Sequence, residues 1–447
     1  MATSLVYLIC IIALIFSIRL MASPYSAVSG SYIGMAGMAA AIIFAFSRQP
    51  EIPYPLIAAL AAGAVTGIIS GIKIKITALP QMIAAFNGLG GGAAVCIAAG
   101  EISAINKISA ALPLGTAIGA ITLSGSLIAF CKLQGILSGR SRQLPLQTFL
   151  NILFAMATLT AAIYLYYSPT SFNFYLLAGL TLLWGIILIW PVGGADMPIA
   201  ISLLNSFSGW ASVAIGFTQN NTLMIAVGTI VGASGSILAY IMTKAMNTSL
   251  FGIFHPHAEN TAGENQINTG QTARTGSPAD AAFIMENAQK VIIVPGFGMA
   301  AASAQHALKT MGELLRNKYH VDIKYAIHPV AGRMPGHMNV LLAEANVDYN
   351  DVYELEDINR EFATADVAYI IGANDITNPE AKNNPDSPLY GMPVLDVGQA
   401  KTVFFVKRSL GSGYSGIDNP LFFAPNTIML YGDAKKVTEE IDKALEQ

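Results

Sequence analysis

Nine stretches of this sequence run close to 20 residues each with almost no charge, and a stretch of that kind has few structures open to it. A helix needs about 20 mostly apolar residues to cross the hydrocarbon core of a bilayer, and in lipid every backbone polar group must find its partner inside the element. The stretches fall at 3–20, 31–48, 54–72, 80–100, 112–131, 146–167, 172–190, 197–217 and 222–243. The pattern therefore predicts a multi-span α-helical membrane domain of about nine helices over residues 1–250. The first stretch lacks a basic start and a small-residue cleavage site, so it reads as a retained span rather than a signal peptide. Composition agrees, because 11% of the chain is charged where soluble domains average roughly 25%.

Charge divides the chain in the same place. Nine of the 24 Lys and Arg lie in residues 1–250, leaving 15 beyond; of the 27 Asp and Glu only Glu51, Glu101 and Asp196 do, leaving 24. The polar part is thus acidic, the reverse of what a nucleic-acid-binding protein presents. With nine spans and a cytoplasmic C-terminal domain, the inside loops carry Arg19, Lys73, Lys75, Lys132, Arg140, Arg142 and Lys244, and the outside loops only Arg48 and Lys107. That obeys the positive-inside bias. Cys10, Cys96 and Cys131 all lie in the apolar part, so they read as packing residues with neither a disulfide framework nor a metal site. Glycines four apart (Gly30/Gly34, Gly63/Gly67/Gly71, Gly115/Gly119, Gly228/Gly232) let helix backbones approach closely. The cluster Gly88, Gly90, Gly91, Gly92 beside Asn87 is denser than packing asks.

Residues 251–280 are polar and read as a flexible linker. From 281 to 447 strand and helix patterns alternate, as in a Rossmann-like α/β parallel-sheet domain. Strands are expected at Val291–Val294, 321–327, 351–355, 367–372, 393–397, 402–406 and 427–431. Helices are expected at Met299–Lys318, 337–345, 357–364 and 433–445.

The first strand runs into Pro295-Gly296-Phe297-Gly298-Met299-Ala300-Ala301, the Gly-x-Gly-x-x-Ala form of a dinucleotide fingerprint. Gly296 serves the tight turn, Gly298 a close approach of the pyrophosphate, and Ala301 the packing of helix on sheet. The second strand ends in His328-Pro329 with no acid for a ribose hydroxyl, and Arg333 follows. Strand 402–406 ends in Lys407-Arg408-Ser409, where two cations and a hydroxyl suit a phosphate monoester. Together these favour NADP(H) over NAD(H). Gly372-Ala373-Asn374-Asp375 follows another strand and places Asp375 at the ligand edge of the sheet. Gly411–Gly416, containing Gly413 and Tyr414, reads as a lid. His328 and His337 flank the Arg333 loop, whereas His306 and His320 read as surface residues.

These motifs, with His328–Val340, Gly193–Pro198 and Asn205–Trp210, resemble proton-translocating nicotinamide nucleotide transhydrogenase, specifically the beta subunit of its split bacterial type. The resemblance implies hydride transfer from NADH to NADP⁺ coupled to inward proton movement, with NAD(H) held on a partner alpha subunit that brings further membrane helices. It implies a bacterial inner-membrane location among lipid, a dimer of alpha–beta units, and a cofactor site without metal. It carries over as NADP(H) contacts the residues Gly296, Phe297, Gly298, Met299, Ala301, Val330, Ala331, Gly332, Arg333, Met334, Pro335, Gly372, Ala373, Asn374, Asp375, Gly391, Met392, Lys407, Arg408, Ser409, Gly411, Gly413, Tyr414, Asp433 and Ala434. Asp375 is the candidate catalytic link to proton occupancy. Some relatives carry a membrane histidine at the position of Asn87, but all six His here lie at or beyond residue 255. The expected proton path is therefore lined by Asn87 and Asn205 with Asp196 at its cytoplasmic edge, and the titrating group comes from the partner. Two other classes fit the outline less well. A transporter with a nucleotide-sensing domain needs no exposed nicotinamide, and a membrane-anchored reductase needs fewer spans.

Overall fold

The computed structural model describes residues 2–23, 25–48, 53–104, 108–138, 144–193, 196–250, 252–254, 272–334, 336–385, 387, 389–411 and 417–447. Most of the expected linker lies outside them. The chain forms two compact units, one built from most of the apolar helices and one containing the C-terminal sheet.

Among the described residues, nine long helices stand where the apolar runs predict them: α1 (Ala2–Met21), α2 (Ala27–Ser47), α3 (Tyr54–Lys73), α4 (Leu79–Ala104), α5 (Ala111–Leu133), α6 (Gln147–Tyr167), α7 (Ser171–Ile189), α8 (Met197–Thr218) and α9 (Thr222–Ala245). Eight of them, α2–α9, are long and apolar enough to cross a membrane, and the described part of α1 is a shorter apolar helix. The glycines set how closely these helices pack. A Cβ on Gly91 would stand 2.5 Å from the carbonyl oxygen of Gly119 on α5, and one on Gly90 2.7 Å from the Ser208 hydroxyl on α8. Close packing on two neighbours thus accounts for the dense glycine run beside Asn87. The pairs Gly30/Gly34, Gly115/Gly119 and Gly228/Gly232 likewise face atoms at contact distance, whereas Gly63, Gly67 and Gly71 on α3 face none among the described residues. Cys10 is buried, but Cys96 points outward rather than into the bundle.

The second unit holds a six-stranded, all-parallel sheet: β1 (Lys290–Pro295), β2 (Asp322–Ile327), β3 (Val352–Glu354), β4 (Val367–Ile371), β5 (Thr402–Lys407) and β6 (Thr427–Tyr431). Its order is β3-β2-β1-β4-β5-β6. The helices are α10 (Pro278–Glu286), α11 (Phe297–Ala302), α12 (Gln305–Tyr319), α13 (His337–Glu344), the single turns α14 (Leu355–Ile358) and α15 (Glu380–Asn383), and α16 (Ala434–Glu446). Strands covered on both faces read as continuous apolar runs, and Val291–Val294, Tyr369, Phe404 and Phe405 are fully buried.

Three expected elements differ. The helix expected over Met299–Lys318 is two helices, because Ser303 adopts a left-handed conformation (φ 51°) that closes α11 with bonds to Ala300 and Met299. Residues 393–397 form no strand: their backbone groups bond elsewhere, Leu395 N–H to Ile376 O, Val394 O and Asp396 N–H to the Asn359 side chain. The helix expected at 357–364 is one turn of α14 followed by a 3₁₀ stretch over Asn359–Thr364.

Candidate functional site

The sheet order reverses between β1 and β4, and in open α/β sheets such a switch point is where ligands bind. Pro295 and Ile371 pair at the ends of these strands, so both chains turn at one level. Their turns interlock: Gly296 N–H donates to Ile371 O (2.9 Å) and Gly298 N–H to Gly372 O (2.8 Å). A Cβ on Gly296 would lie 2.5 Å from the Gly372 oxygen, and one on Gly298 2.6 Å from the Gly372 Cα. Gly372 itself has φ +69°, and its own Cβ would overlap the backbone of Gly298 and Met299. In this arrangement the space beside the fingerprint glycines admits the neighbouring turn. The third position departs from expectation. Ala301 is exposed, and Met299 and Ala300, exposed 0% and 1%, make the packing contact instead. The cause is that α11 begins directly after Gly296 and lasts only six residues, which turns position 301 outward.

The loop after β2 locks onto the same place. The Arg333 guanidinium carbon lies 4.1 Å from the centre of the Phe297 ring, a cation–π contact. Arg333 N–H donates to Nδ1 of His337 (3.1 Å), and Gly332 takes φ +109° with its Cβ position filled by the His337 ring. Both histidines are buried. Val330 N–H donates to Nδ1 of His328 (3.3 Å), which leaves the His328 proton on Nε2 to donate to Pro393 O (2.7 Å). Burial, opposed only by that bond, brings the His328 pKa down to about 4. Burial and the Arg333 charge do the same to His337. These imidazoles are neutral loop anchors at physiological pH. Ala331 and Met334 of this loop are buried; Pro335 lies outside the described residues.

At the end of β5, Lys407 Nζ donates to Gly411 O (2.7 Å) and Gly411 N–H to the Ser409 hydroxyl (3.4 Å). Burial lowers the Lys407 pKa, opposed by the charges of Asp375 and Asp418. Arg408 is paired with Asp433 at 3.0 Å, the residue whose carboxylate also caps α16 at Lys435 N–H. Burial raises the Asp433 pKa, but Arg408 and the backbone N–H groups of Lys435 and Lys436 outweigh it and hold the carboxyl below its usual range. Lys407, Arg408, Ser409, Gly411, Asp433 and Ala434 thus meet at one strand end. Gly413 and Tyr414 lie outside the described residues.

The Gly372–Asp375 turn is held from below by two residues not among the expected site positions. Asn419 donates to Asn374 O (3.2 Å) and to the Thr377 hydroxyl (3.4 Å), and Asn378 donates to Asp418 O (3.1 Å). Both are completely buried. The Asn419-Pro420 dipeptide, a turn initiator, is the sequence signal that marks the first. Gly391 (φ +83°) donates its N–H to Ala381 O, and Met392 packs with Ala381 and Val394 next to Pro393, whose carbonyl accepts from His328.

Among the helices of the first unit, Asn87 is 6% exposed and donates to Ile201 O on α8 at 3.4 Å. Asn205 stands one turn further along α8 and is partly buried. The Asp196 carbonyl accepts the first bonds of α8 from Ile199 and Ala200, and burial pushes its carboxyl up to about 6. No group of three or more His, Cys, Asp or Glu among the described residues could hold a metal ion.

Comparison with known proteins is consistent along the whole chain. The NAD(P) transhydrogenase beta subunit family matches residues 3–444. The NAD(P) transhydrogenase subunit beta of Rhodospirillum rubrum, found for the species and again for a named strain, is 48% identical over 459 aligned residues, covering 99% of each chain. This chain therefore belongs to the NAD(P) transhydrogenase beta subunit family.

Proposed function

We propose that this chain is the NADP(H)-binding, membrane-spanning beta subunit of a proton-pumping transhydrogenase. Hydride passes from NADH, held on a partner alpha subunit, to NADP⁺ held here, and protons move inward through the membrane helices. The observation that carries the nucleotide assignment is the meeting of Lys407, Arg408 and Ser409 at the end of β5. That end lies on the same sheet edge as the interlocked turns of Gly296–Gly298 and Gly372–Asp375. A 2′-phosphate is what separates NADP from NAD, and this donor set fits it.

In this reading the bound nucleotide supplies the ring carbon that takes the hydride, and the chain supplies position. Lys407 and Arg408 hold the phosphate, with Arg408 leaving Asp433 to do so. Phe297, Arg333 and the Val330–Pro335 loop border the other half of the site, and neutral His328 and His337 fix that loop. Asp375, close enough to act on the charge of Lys407, reports site occupancy toward the membrane. The Gly411–Gly416 segment closes over the ligand. Residues 1–250 translocate protons along Asn87, Asn205 and Asp196, residues 251–280 link, and residues 281–447 bind nucleotide. The C-terminal domain is cytoplasmic in a bacterial inner membrane and the N-terminus outside, with alpha–beta units paired.

The test is reconstitution with the alpha subunit in liposomes. An imposed inward proton gradient accelerates NADPH formation from NADH and NADP⁺, and dissipating it removes the acceleration. A nucleotide-sensing transporter would move its solute and form no NADPH.

A further inference from the structure

Helix α6 carries buried polar side chains with hydrogen-bonding atoms that have no partner among the described residues. Gln147, Asn151 and Thr158 are exposed 7%, 9% and 8%, and they fall on one helical face because they stand four and seven residues apart. Gln147 donates from Nε2 to Ile187 O of α7 at 2.9 Å, but its Oε1 is buried without a partner. Asn151 has neither Nδ2 nor Oδ1 bonded, and the Thr158 hydroxyl is likewise unbonded. On the facing helix α7, the Trp184 indole N–H is also buried and unbonded. Trp184 precedes Ile187 by three residues, so the antiparallel register fixed by the Gln147–Ile187 bond brings it to the level of Asn151.

The Thr158 hydroxyl is the telling case. A helical threonine in a membrane normally donates to the carbonyl four residues back. Thr116, Thr122, Thr160 and Thr181 all do so here, at 2.7–2.9 Å. Thr158 alone of these five makes no such bond. Leaving such groups unpaired in an apolar interior costs several kcal/mol each, and a membrane offers no bulk water to relieve them. Because the atoms are enclosed by this chain, no side chain of another subunit can reach them without parting α6 from α7. What fits is a molecule small enough to enter and able both to donate and to accept.

We propose that the α6–α7 interface holds a column of ordered water, bound by Gln147 Oε1, Asn151, Trp184 Nε1 and Thr158 Oγ1. From Gln147 to Thr158 the column extends about 16 Å at 1.5 Å per residue, roughly half the ~30 Å hydrocarbon thickness. It begins at the end where Lys132 of α5 caps the last carbonyls of α7, Ile189 and Trp190. It is separate from the Asn87–Asn205 line on α4 and α8.

The experiment is X-ray radiolytic hydroxyl-radical labelling of the assembled enzyme in its membrane, read by mass spectrometry. Radicals formed from bound water mark only side chains beside it. After correction for the greater intrinsic reactivity of indole and for the partial exposure of its ring, Trp184 is expected to label well above Phe174, which lies on the same helix within a fully apolar cluster. The labelling should fall severalfold in Asn151→Leu and in the isosteric Thr158→Val, and both variants should lower the melting temperature. If Trp184, so corrected, labels no faster than Phe174 in the unmodified enzyme, or if Thr158→Val raises the melting temperature, the interface is dry and the proposal is wrong.

Discussion

Replacing Gly372 by alanine tests whether the two turns at the switch point must touch. The new Cβ meets two separate obstacles. Gly372 has φ +69°, where an L side chain costs about 1–2 kcal/mol. In addition the Cβ would overlap backbone atoms of Gly298 and Met299, which cannot swing aside as a side chain can. Overpacking of that kind typically costs about 1–3 kcal/mol more. The sum, about 2–5 kcal/mol, is a large share of the 5–15 kcal/mol that stabilises a typical domain. Gly336 provides the control. Its φ is +67° but its Cβ position faces open space, so Gly336→Ala should incur the conformational cost alone. Calorimetric scans of the assembled enzyme should show the sheet domain of Gly336→Ala melting a few degrees lower, at about 2–4 °C per kcal/mol for this size. Gly372→Ala should fall roughly twice as far or more and lose NADPH affinity. Equal shifts for the two variants would mean that the turns can part without cost, and the interlocked geometry would be wrong.

Three further outcomes follow from charges and burial. His328 and His337 titrate near 4 in the folded chain against about 6.5 unfolded, so the unfolded state binds more protons between those values. Stability should fall as pH drops from 6.5 to 4, by up to about 3 kcal/mol per imidazole, and His328→Asn should flatten the acid limb of a denaturation series. Asp442 on α16 behaves oppositely. It is buried with Oδ1 unbonded, and burial together with Glu446 and Glu439 raises its pKa to about 7. The folded state therefore loses stability as pH rises through 4 to 7, and Asp442→Asn should stabilise at pH 8 by up to about 4 kcal/mol and have no effect at pH 3.5. In the membrane unit, Asn205→Leu should cut proton-coupled turnover in reconstituted vesicles while leaving NADPH binding intact; unchanged coupled turnover removes Asn205 from the path.

The membrane helices were legible because spanning a bilayer imposes a length and a composition that few other structures share. The sheet was legible for a related reason, since strands buried on both faces must be apolar throughout. What stayed hidden depends on contacts between distant segments. Nothing in the run Met299–Lys318 signals a break at Ser303, because the short α11 is set by the approach of Gly298 to Gly372. Ala301 fits the fingerprint in spacing, yet it faces outward once the helix starts at Phe297. Residues 393–397 have strand composition, but their backbone groups are taken by the distant Asn359 side chain and by Ile376. Asn419 and Asn378 support the Asp375 turn from 40 or more residues away in the case of Asn419, a relation no local pattern records. The strand-end cations Lys407 and Arg408 were readable, but the pairing of Arg408 with Asp433 required the fold.

The central claim is that this chain selects NADP(H) through the end of β5, and calorimetric titration of the assembled enzyme with NADPH and NADH tests it most directly. With the alpha-subunit site saturated by NADH beforehand, NADPH should bind this chain tightly. Lys407→Ala and Arg408→Ala should each weaken it about 10- to 150-fold, the equivalent of about 1.5–3 kcal/mol for a hydrogen bond to a charged group. Equal NADPH affinity in the unmodified and doubly substituted enzymes would contradict the assignment.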